Sequence, residues 1–204
     1  LLFTLAVPGI VGMIVIGLYP LMDGIFAGKI IGDYAMSAIS ISMSLTILNG
    51  GISALIGVGS ASILSRAIGK GDKETIDKIF GNFCYWIIMF SAIIAVFGIV
   101  LAPHFLEMVG AKGDIKIMGV RYLRIVFLGS LFVNFAQAGN MTMRGEGALK
   151  QSMLIMGFGA VLNIALDPIL MKIMGENAIE GAAVATVISQ IVQAGLTFHY
   201  FLRK

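Results

Sequence analysis

The sequence has little charge, one cysteine and two histidines, and each shortage excludes a class of protein. Only 12% of the 204 residues are charged, about half of the roughly 25% found in soluble domains. A single cysteine, Cys84, cannot form an intrachain disulfide, and the chain has no His/Cys metal cluster. Four prolines without a regular glycine spacing exclude a collagen-like chain. What remains is strongly apolar, with 58% hydrophobic residues and a mean hydropathy of +0.98.

Motifs of enzymes and of nucleic-acid binding are also missing. Gly69-Lys70-Gly71-Asp72 lacks the spacing of a phosphate-binding loop, and no serine stands in a Gly-x-Ser-x-Gly elbow. The net charge is only +3. The Lys and Arg residues lie between apolar runs, as the topology signals of membrane proteins do. The sequence therefore predicts a membrane protein that is not an enzyme, needs no cofactor and binds no nucleic acid.

Six long apolar runs predict an all-α bundle of six transmembrane helices, because about 20 apolar residues span a bilayer. They lie at about residues 1–26, 34–65, 79–106, 117–143, 152–171 and 181–202, as one lobe. Eight Lys and Arg residues flank one side of the predicted membrane and six the other. The positive-inside rule then places both termini in the cytoplasm of a multi-pass protein of the plasma or inner membrane.

Polar side chains interrupt the fifth predicted helix. Asp167 is the one ionisable group in residues 152–171, and Asn163 lies four residues earlier on the same helical face. Pro168 lacks an N–H, so the carbonyl of Ile164 loses its helical partner one turn away. An acid inside a membrane is costly unless it meets a polar cavity or a partner. This cluster therefore predicts a functional site.

Two other predicted helices offer partners at the same depth. The first carries Tyr19 and Asp23 four residues apart, with Pro20 between them. The sixth carries a polar stripe at positions i, i+3, i+4 and i+7, formed by Thr186, Ser189, Gln190 and Gln193. Alternating helix directions put these groups in the outer half of the bundle. The sequence predicts a polar pocket there, with Asn134 and Gln137 of the fourth helix as further cavity-lining candidates.

Each of these features has a simpler explanation. Asp23 near a helix end could reach the lipid headgroups, and Thr186 could bond to its own helix. Gln190 and Gln193 could join neighbouring helices. Three aromatic residues are typical of the interfacial belt, namely Tyr85, Trp86 and Tyr122.

Several motifs occur together and in order. They are Pro8, Tyr19-Pro20-x-x-Asp23-x-x-Phe26-x-Gly28, Gly57-x-Gly59-x-Ala61, Arg144-Gly145-x-Gly147-x-x-Lys150, Asn163-x-x-Leu166-Asp167-Pro168 and Gly181-Ala182-Ala183-x-Ala185-Thr186. With them, essentially the whole chain resembles the N-terminal half of prokaryotic multidrug and toxic compound extrusion (MATE) transporters. The resemblance implies a cation-coupled antiporter of two six-helix lobes, which exports drugs or other lipophilic or cationic organic compounds. It also implies a monovalent-cation site at Tyr19, Asp23, Asn163, Asp167 and Thr186.

A coupling mechanism follows from the two acids. Burial and like charge both disfavour ionising Asp23 and Asp167 together. A proton relieves that repulsion, and so does a Na⁺ held by oxygens of Asp23, Asn163 and Asp167. Pro20 and Pro168 give their helices places to bend. Cation entry would then reshape the lobe and release substrate outward by alternating access.

Other functions stay open at this stage. A lipid-linked oligosaccharide flippase of the same superfamily would favour a cationic cavity, whereas this chain offers mainly Arg121 and Arg124 near one edge. A pore lined by Asn134, Gln137 and Gln193 is a second alternative. A non-transporting scaffold, or a half-transporter that requires a partner, is a third. The expected partners are an organic small molecule, membrane lipid and a second six-helix lobe, which this sequence does not contain.

Overall fold

The structure is a computed structural model that describes residues 21–203. This part of the chain is built from α-helices and one short 3₁₀ turn. The helices are α1 (residues 21–30), α2 (Asp33–Lys70), α3 (Lys73–Met108), α4 (Gly113–Leu128), α5 (Ser130–Gly145), α6 (Leu149–Met174) and α7 (Ala178–Leu202), with the 3₁₀ turn at Gly175–Asn177. The all-α fold predicted from the sequence is thereby confirmed, while the first twenty positions of the first predicted span lie outside the described residues.

Helices α2 and α3 extend about a turn beyond the predicted spans and meet in a tight connection. Gly71 ends α2 with a φ of 71°, a left-handed conformation that glycine adopts without strain. Asp72 then caps α3 by accepting a hydrogen bond from the backbone N–H of Thr75 at 3.1 Å. Because only two residues separate the helices, α2 and α3 lie beside each other as a hairpin.

The fourth predicted span is not one straight helix. Helices α4 and α5 meet at Gly129 with a bend of 59°. The carbonyl of Gly129 accepts hydrogen bonds from the N–H groups of both Phe132 and Val133, at 3.0 and 3.1 Å. A Cβ at position 129 would lie 2.7 Å from Cγ2 of Val187. The bend thus occurs where α7 packs directly against a residue without a side chain, which an apolar run does not reveal.

Helices α6 and α7 form an antiparallel hairpin. Gly181 faces the carbonyl of Leu170, and further along Gln193 reaches the carbonyl of Met156 with its Nε2 at 3.4 Å. The arms have 26 and 25 residues, so each is about 38 Å long, enough to cross a bilayer.

Four helical stretches within residues 21–203 are long and apolar enough to cross a membrane, if the bent pair α4–α5 is taken as one. The others are α2, α3 and the continuous α6–α7 stretch. Since the α6–α7 stretch folds back on itself, it supplies two crossings.

Small residues let α2 and α5 pack closely. A Cβ on Gly57 would lie 2.7 Å from Cα of Ala138, and a Cβ on Gly145 would lie 2.7 Å from Cα of Ala61. Close approach of backbones through small residues is the usual way in which helices associate in lipid. The α2–α5 contact therefore forms a rigid wall next to the polar groups described below.

Candidate functional site

Four buried polar side chains from three helices form a chain of hydrogen bonds. Thr186 of α7 donates its hydroxyl to Oδ2 of Asp23 in α1, with an Oγ1–Oδ2 distance of 3.3 Å. Nδ2 of Asn163 in α6 lies 3.5 Å from Oγ1 of Thr186 and 3.2 Å from Oδ1 of Asp167. The structure therefore brings together Asp23, Thr186, Asn163 and Asp167, as periodicity and depth predicted.

Among the described residues, three oxygen atoms of the site have no hydrogen bond of normal geometry. They are Oδ1 of Asp23, Oδ1 of Asn163 and Oδ2 of Asp167. The two carboxyl groups are close enough to interact directly with each other, and both side chains are almost fully buried. Two adjacent buried carboxylates repel each other, and unpaired buried oxygens are costly. The arrangement can therefore hold a proton or a monovalent cation.

Local sequence explains how α6 and α7 position these groups. Asn163 and Asp167 are four residues apart, so they share one face of α6. Helix α6 continues through Pro168 to Met174. On α7, a Cβ at Gly181 would lie 2.8 Å from the carbonyl oxygen of Leu170. The missing side chain lets α7 approach α6, and Thr186 then lies within reach of Asn163.

A cavity of about 290 Å³ opens beside this cluster. Asp23 and Thr186 form part of its wall, together with Asn49 of α2 and Gln137 of α5. No Lys or Arg from the described residues lines it. The cavity therefore presents a carboxylate and neutral polar groups, an environment that suits a positively charged guest.

The sequence-predicted candidates divide into those that line the cavity and those that do not. Gln137 and Gln190 line it. Ser189 donates its hydroxyl to the carbonyl of Ala185 within α7, at 2.9 Å. Gln193 packs across Gly159 on α6. Tyr19 and Pro20 lie outside the described residues.

Asn134 also lies away from the cavity, at the centre of a buried polar cluster. Its Oδ1 accepts from the hydroxyl of Ser53 at 2.7 Å, and its Nδ2 donates to Oδ1 of Asn49 at 3.1 Å and to Oγ of Ser91 at 3.0 Å. These contacts tie α5 to α2 and α3. Position and partners make Asn134 a helix-packing residue rather than the cavity-lining residue that its spacing from Gln137 suggested.

Tyr122 is a cavity residue that the sequence did not reveal. The sequence placed it in the interfacial belt, but it is buried, lines the cavity and contacts the side chain of Asp23. The available signal was helical spacing. Arg121 and Arg124 share an exposed face of α4, whereas Tyr122 falls on the opposite face with the buried residues Gly119 and Val126.

Comparisons with known proteins agree on one family. The MatE family model matches residues 8–169. The multidrug export protein MepA of Staphylococcus saprophyticus is 29% identical over 199 residues, which is 98% of this chain and 44% of that protein. The chain thus spans less than half the length of this relative.

Solved structures also match nearly the whole of this chain and less than half of their own length. The crystal structure of MATE in the bent conformation superposes with a TM-score of 0.90 at 30% identity, covering 98% of this chain and 44% of that one. A MOP superfamily transporter from Pyrococcus furiosus gives a TM-score of 0.88 at 30% identity, covering 97% and 43%. That structure is described as having a binding pocket of reverse polarity, which suggests a different function for it.

Proposed function

The chain belongs to the MatE family, whose members are transporters and not enzymes, and on this premise we propose that it forms the N-terminal six-helix lobe of a cation-coupled antiporter. The antiporter exports lipophilic or cationic organic compounds by alternating access. A second six-helix lobe is its required partner, because the chain covers only 44% of MepA. The observation that carries the proposal is the buried chain Asp23–Thr186–Asn163–Asp167.

The coupling ion is Na⁺ or a proton, and the donor set fits either. Na⁺ prefers oxygen ligands, as other hard cations do, and Asp23, Asn163 and Asp167 each have a buried oxygen without a hydrogen bond of normal geometry among the described residues. A proton shared between the two carboxyl groups would remove the same repulsion. Either ion reduces the net charge of the carboxylate pair from −2 to −1. Tyr19 is a further expected ligand of this site.

Asp23 links the ion to the cargo. It belongs to the hydrogen-bonded chain and also lines the 290 Å³ cavity. A cationic cargo and a coupling cation therefore compete for the field of one carboxylate. Competition for a shared group is the simplest physical basis for exchange, since binding of one guest lowers the affinity for the other.

The polarity of the cavity favours export of cations over the flippase alternative. Arg121 and Arg124 are exposed on α4, and the described cavity wall carries no basic residue. A relative with a pocket of reverse polarity exists, so family membership leaves the cargo open. The absence of basic residues from the described cavity wall supports a cationic cargo.

The proposed orientation places the cation site in the outer half of the membrane. The connectors after α2 and α5 and the end of α7 meet at one end of the bundle, where Ile68, Ile76, Glu146 and Phe201 surround one cavity. This end carries the larger share of Lys and Arg, so we assign it to the cytoplasm. Asp23 and Asp167 lie toward the other end.

Gradient-driven efflux of ethidium by the two-lobe transporter tests this proposal. Asp23→Asn and Asp167→Asn should each abolish efflux driven by Na⁺ or by protons, each gradient being imposed alone. Ser189→Ala is the matched control, because this hydroxyl donates to the carbonyl of Ala185 in its own helix. Wild-type efflux by both aspartate variants would refute the proposal.

A further inference from the structure

A second cavity lies at the end of the bundle opposite the acidic site. Its volume is about 370 Å³, and helices α2, α3, α5 and α7 enclose it. Leu64 of α2 lines it, whereas Asn49 of the same helix lines the first cavity. Fifteen residues of helix separate these two positions by about 22 Å. The two cavities are therefore distinct.

Aromatic rings form one side of the second cavity. The ring centroids of Phe80 and Phe201 are 5.0 Å apart, those of Phe83 and Phe201 are 6.1 Å apart, and those of Phe80 and Phe83 are 6.3 Å apart. All three rings line the cavity. Clustered aromatic faces attract organic cations through their π electrons and also accept apolar groups.

Two carboxyl groups lie on the same cavity. Glu146 follows α5, and the hydroxyl of Tyr200 on α7 donates a hydrogen bond to its Oε1. Asp77 lies three residues before Phe80 on α3, so both share one helical face. No Lys or Arg of the described residues lines the cavity. The nearby Lys78 instead pairs with Glu74 at 2.6 Å.

We propose that this second cavity is a binding site for organic cations with an aromatic or aliphatic body. The charged group faces Glu146 and Asp77, and the body packs against Phe80, Phe83 and Phe201. The volume lies at the lower end of the range for small-molecule pockets, which favours compact ammonium compounds. The inference does not depend on antiport, because binding at this site needs no ion gradient.

The experiment is calorimetric titration of the purified chain in lipid nanodiscs, with empty nanodiscs subtracted. The probe is benzyltrimethylammonium, and neopentylbenzene is its uncharged isostere. The cation should bind at least tenfold more tightly than the isostere. Glu146→Gln, which keeps an acceptor for Tyr200, should weaken cation binding about tenfold, and Phe80→Leu should weaken it several-fold. Glu176→Gln in the 3₁₀ turn is the matched charge control and should bind as the wild type does.

A further variant separates the two sites. In Asp167→Asn, the part of benzyltrimethylammonium binding that Glu146→Gln weakens should remain. Loss of binding in Asp167→Asn with retention in Glu146→Gln would overturn this inference and assign the cation to the acidic cavity. Equal affinity for the cation and its isostere would also overturn it. If Glu146→Gln fails to fold by circular dichroism and gel filtration, Asp77→Asn and Phe80→Leu decide by the same criterion.

Discussion

The hydroxyl of Thr186 donates a hydrogen bond to the carboxylate of Asp23, a residue 163 positions earlier in the chain. This bond joins α7 to α1 at the point where the cavity meets the acidic cluster. Both residues line the cavity, so the bond lies between a guest in the cavity and the second acid, Asp167. We therefore expect a change in the charge of Asp23 to act on the α6–α7 hairpin through Thr186.

Replacing Thr186 by valine should lower the affinity of the site for the coupling ion. Valine keeps the shape of threonine but removes the hydroxyl, which leaves an oxygen of Asp23 without its donor. The concentration of Na⁺, or of protons, that gives half-maximal efflux of ethidium by the two-lobe transporter should rise about tenfold. Thr186→Ser keeps the hydroxyl and should stay within a factor of about three of the wild type. Identical values for the valine and wild-type proteins would show that the bond has no part in coupling.

Asn134→Ala should affect stability, whereas Gln137→Ala should affect the binding of ethidium. Asn134 satisfies Ser53, Asn49 and Ser91, so its loss should destabilise the fold by about 1–3 kcal/mol. Gln137 lines the cavity, so its loss should change the affinity for ethidium with little effect on stability. Thermal unfolding and ethidium binding, measured on both variants, check this. A loss of ethidium affinity in Asn134→Ala without a loss of stability would return Asn134 to the cavity wall.

Gly57→Ala should destabilise the lobe, whereas Gly59→Ala should not. A Cβ at position 57 would lie 2.7 Å from Cα and 2.9 Å from the carbonyl oxygen of Ala138. Backbone cannot move aside as a flexible side chain can, so we expect a cost of about 1–3 kcal/mol. A Cβ at position 59 meets nothing within 4 Å. Labelling of Cys84 by a thiol-reactive dye during heating gives an unfolding midpoint for each variant. Equal unfolding midpoints for Gly57→Ala and Gly59→Ala would contradict the close α2–α5 contact.

The N-terminus of α3 should lose protection from hydrogen exchange in acid, because its capping residue Asp72 becomes protonated. Hydrogen bonds from the side chain and then the backbone N–H of Thr75, together with the charge of Lys70, hold the pKa of Asp72 below its usual 3.8. A lowered pKa means that this cap stabilises the helix above about pH 4, the range of an unfolded aspartate, and that its contribution disappears as the pH falls through the folded pKa.

Hydrogen exchange of residues 73–80, corrected for intrinsic rates, measures this effect. In the wild type, protection should fall as the pH decreases from about 5 to below 3.8, because the pKa of Asp72 in the folded protein lies below that value. Asp72→Asn keeps a capping side chain without a titrating group, so its protection should not change over that interval. Asp72→Ala should be less protected at every pH. A pH-dependent loss in Asp72→Asn would assign the effect to another group.

Much of the architecture could be predicted because membranes impose simple rules. Apolar runs of sufficient length predicted the helices, and the cost of an acid in lipid singled out Asp167 and Asn163. Helix direction and depth then grouped them with Asp23 and Thr186. These steps need only the period of a helix and the thickness of a bilayer, and the family membership predicted from motifs is confirmed by the comparisons.

Features that depend on lateral packing could not be predicted in this way. The bend at Gly129 depends on Val187 of another helix, and a continuous apolar run carries no sign of it. Asn134 and Gln137 are three residues apart, yet one joins helices and the other lines the cavity. Asn134 differs from Gln137 because it accepts a hydrogen bond from Ser53, which lies 81 positions earlier in the chain. Periodicity gives the face of a helix but not the neighbour that covers it.

The distance in sequence between Asp23 and its partners has a consequence for biosynthesis. Thr186 is made 163 residues after Asp23, and at roughly 5–20 residues per second this delay is on the order of ten seconds or longer. During that interval the predicted first span would enter the membrane with an acid whose companions have not yet been translated. Nascent chains arrested before α6 would therefore hold their first span less firmly in the bilayer than Asp23→Asn chains arrested at the same length.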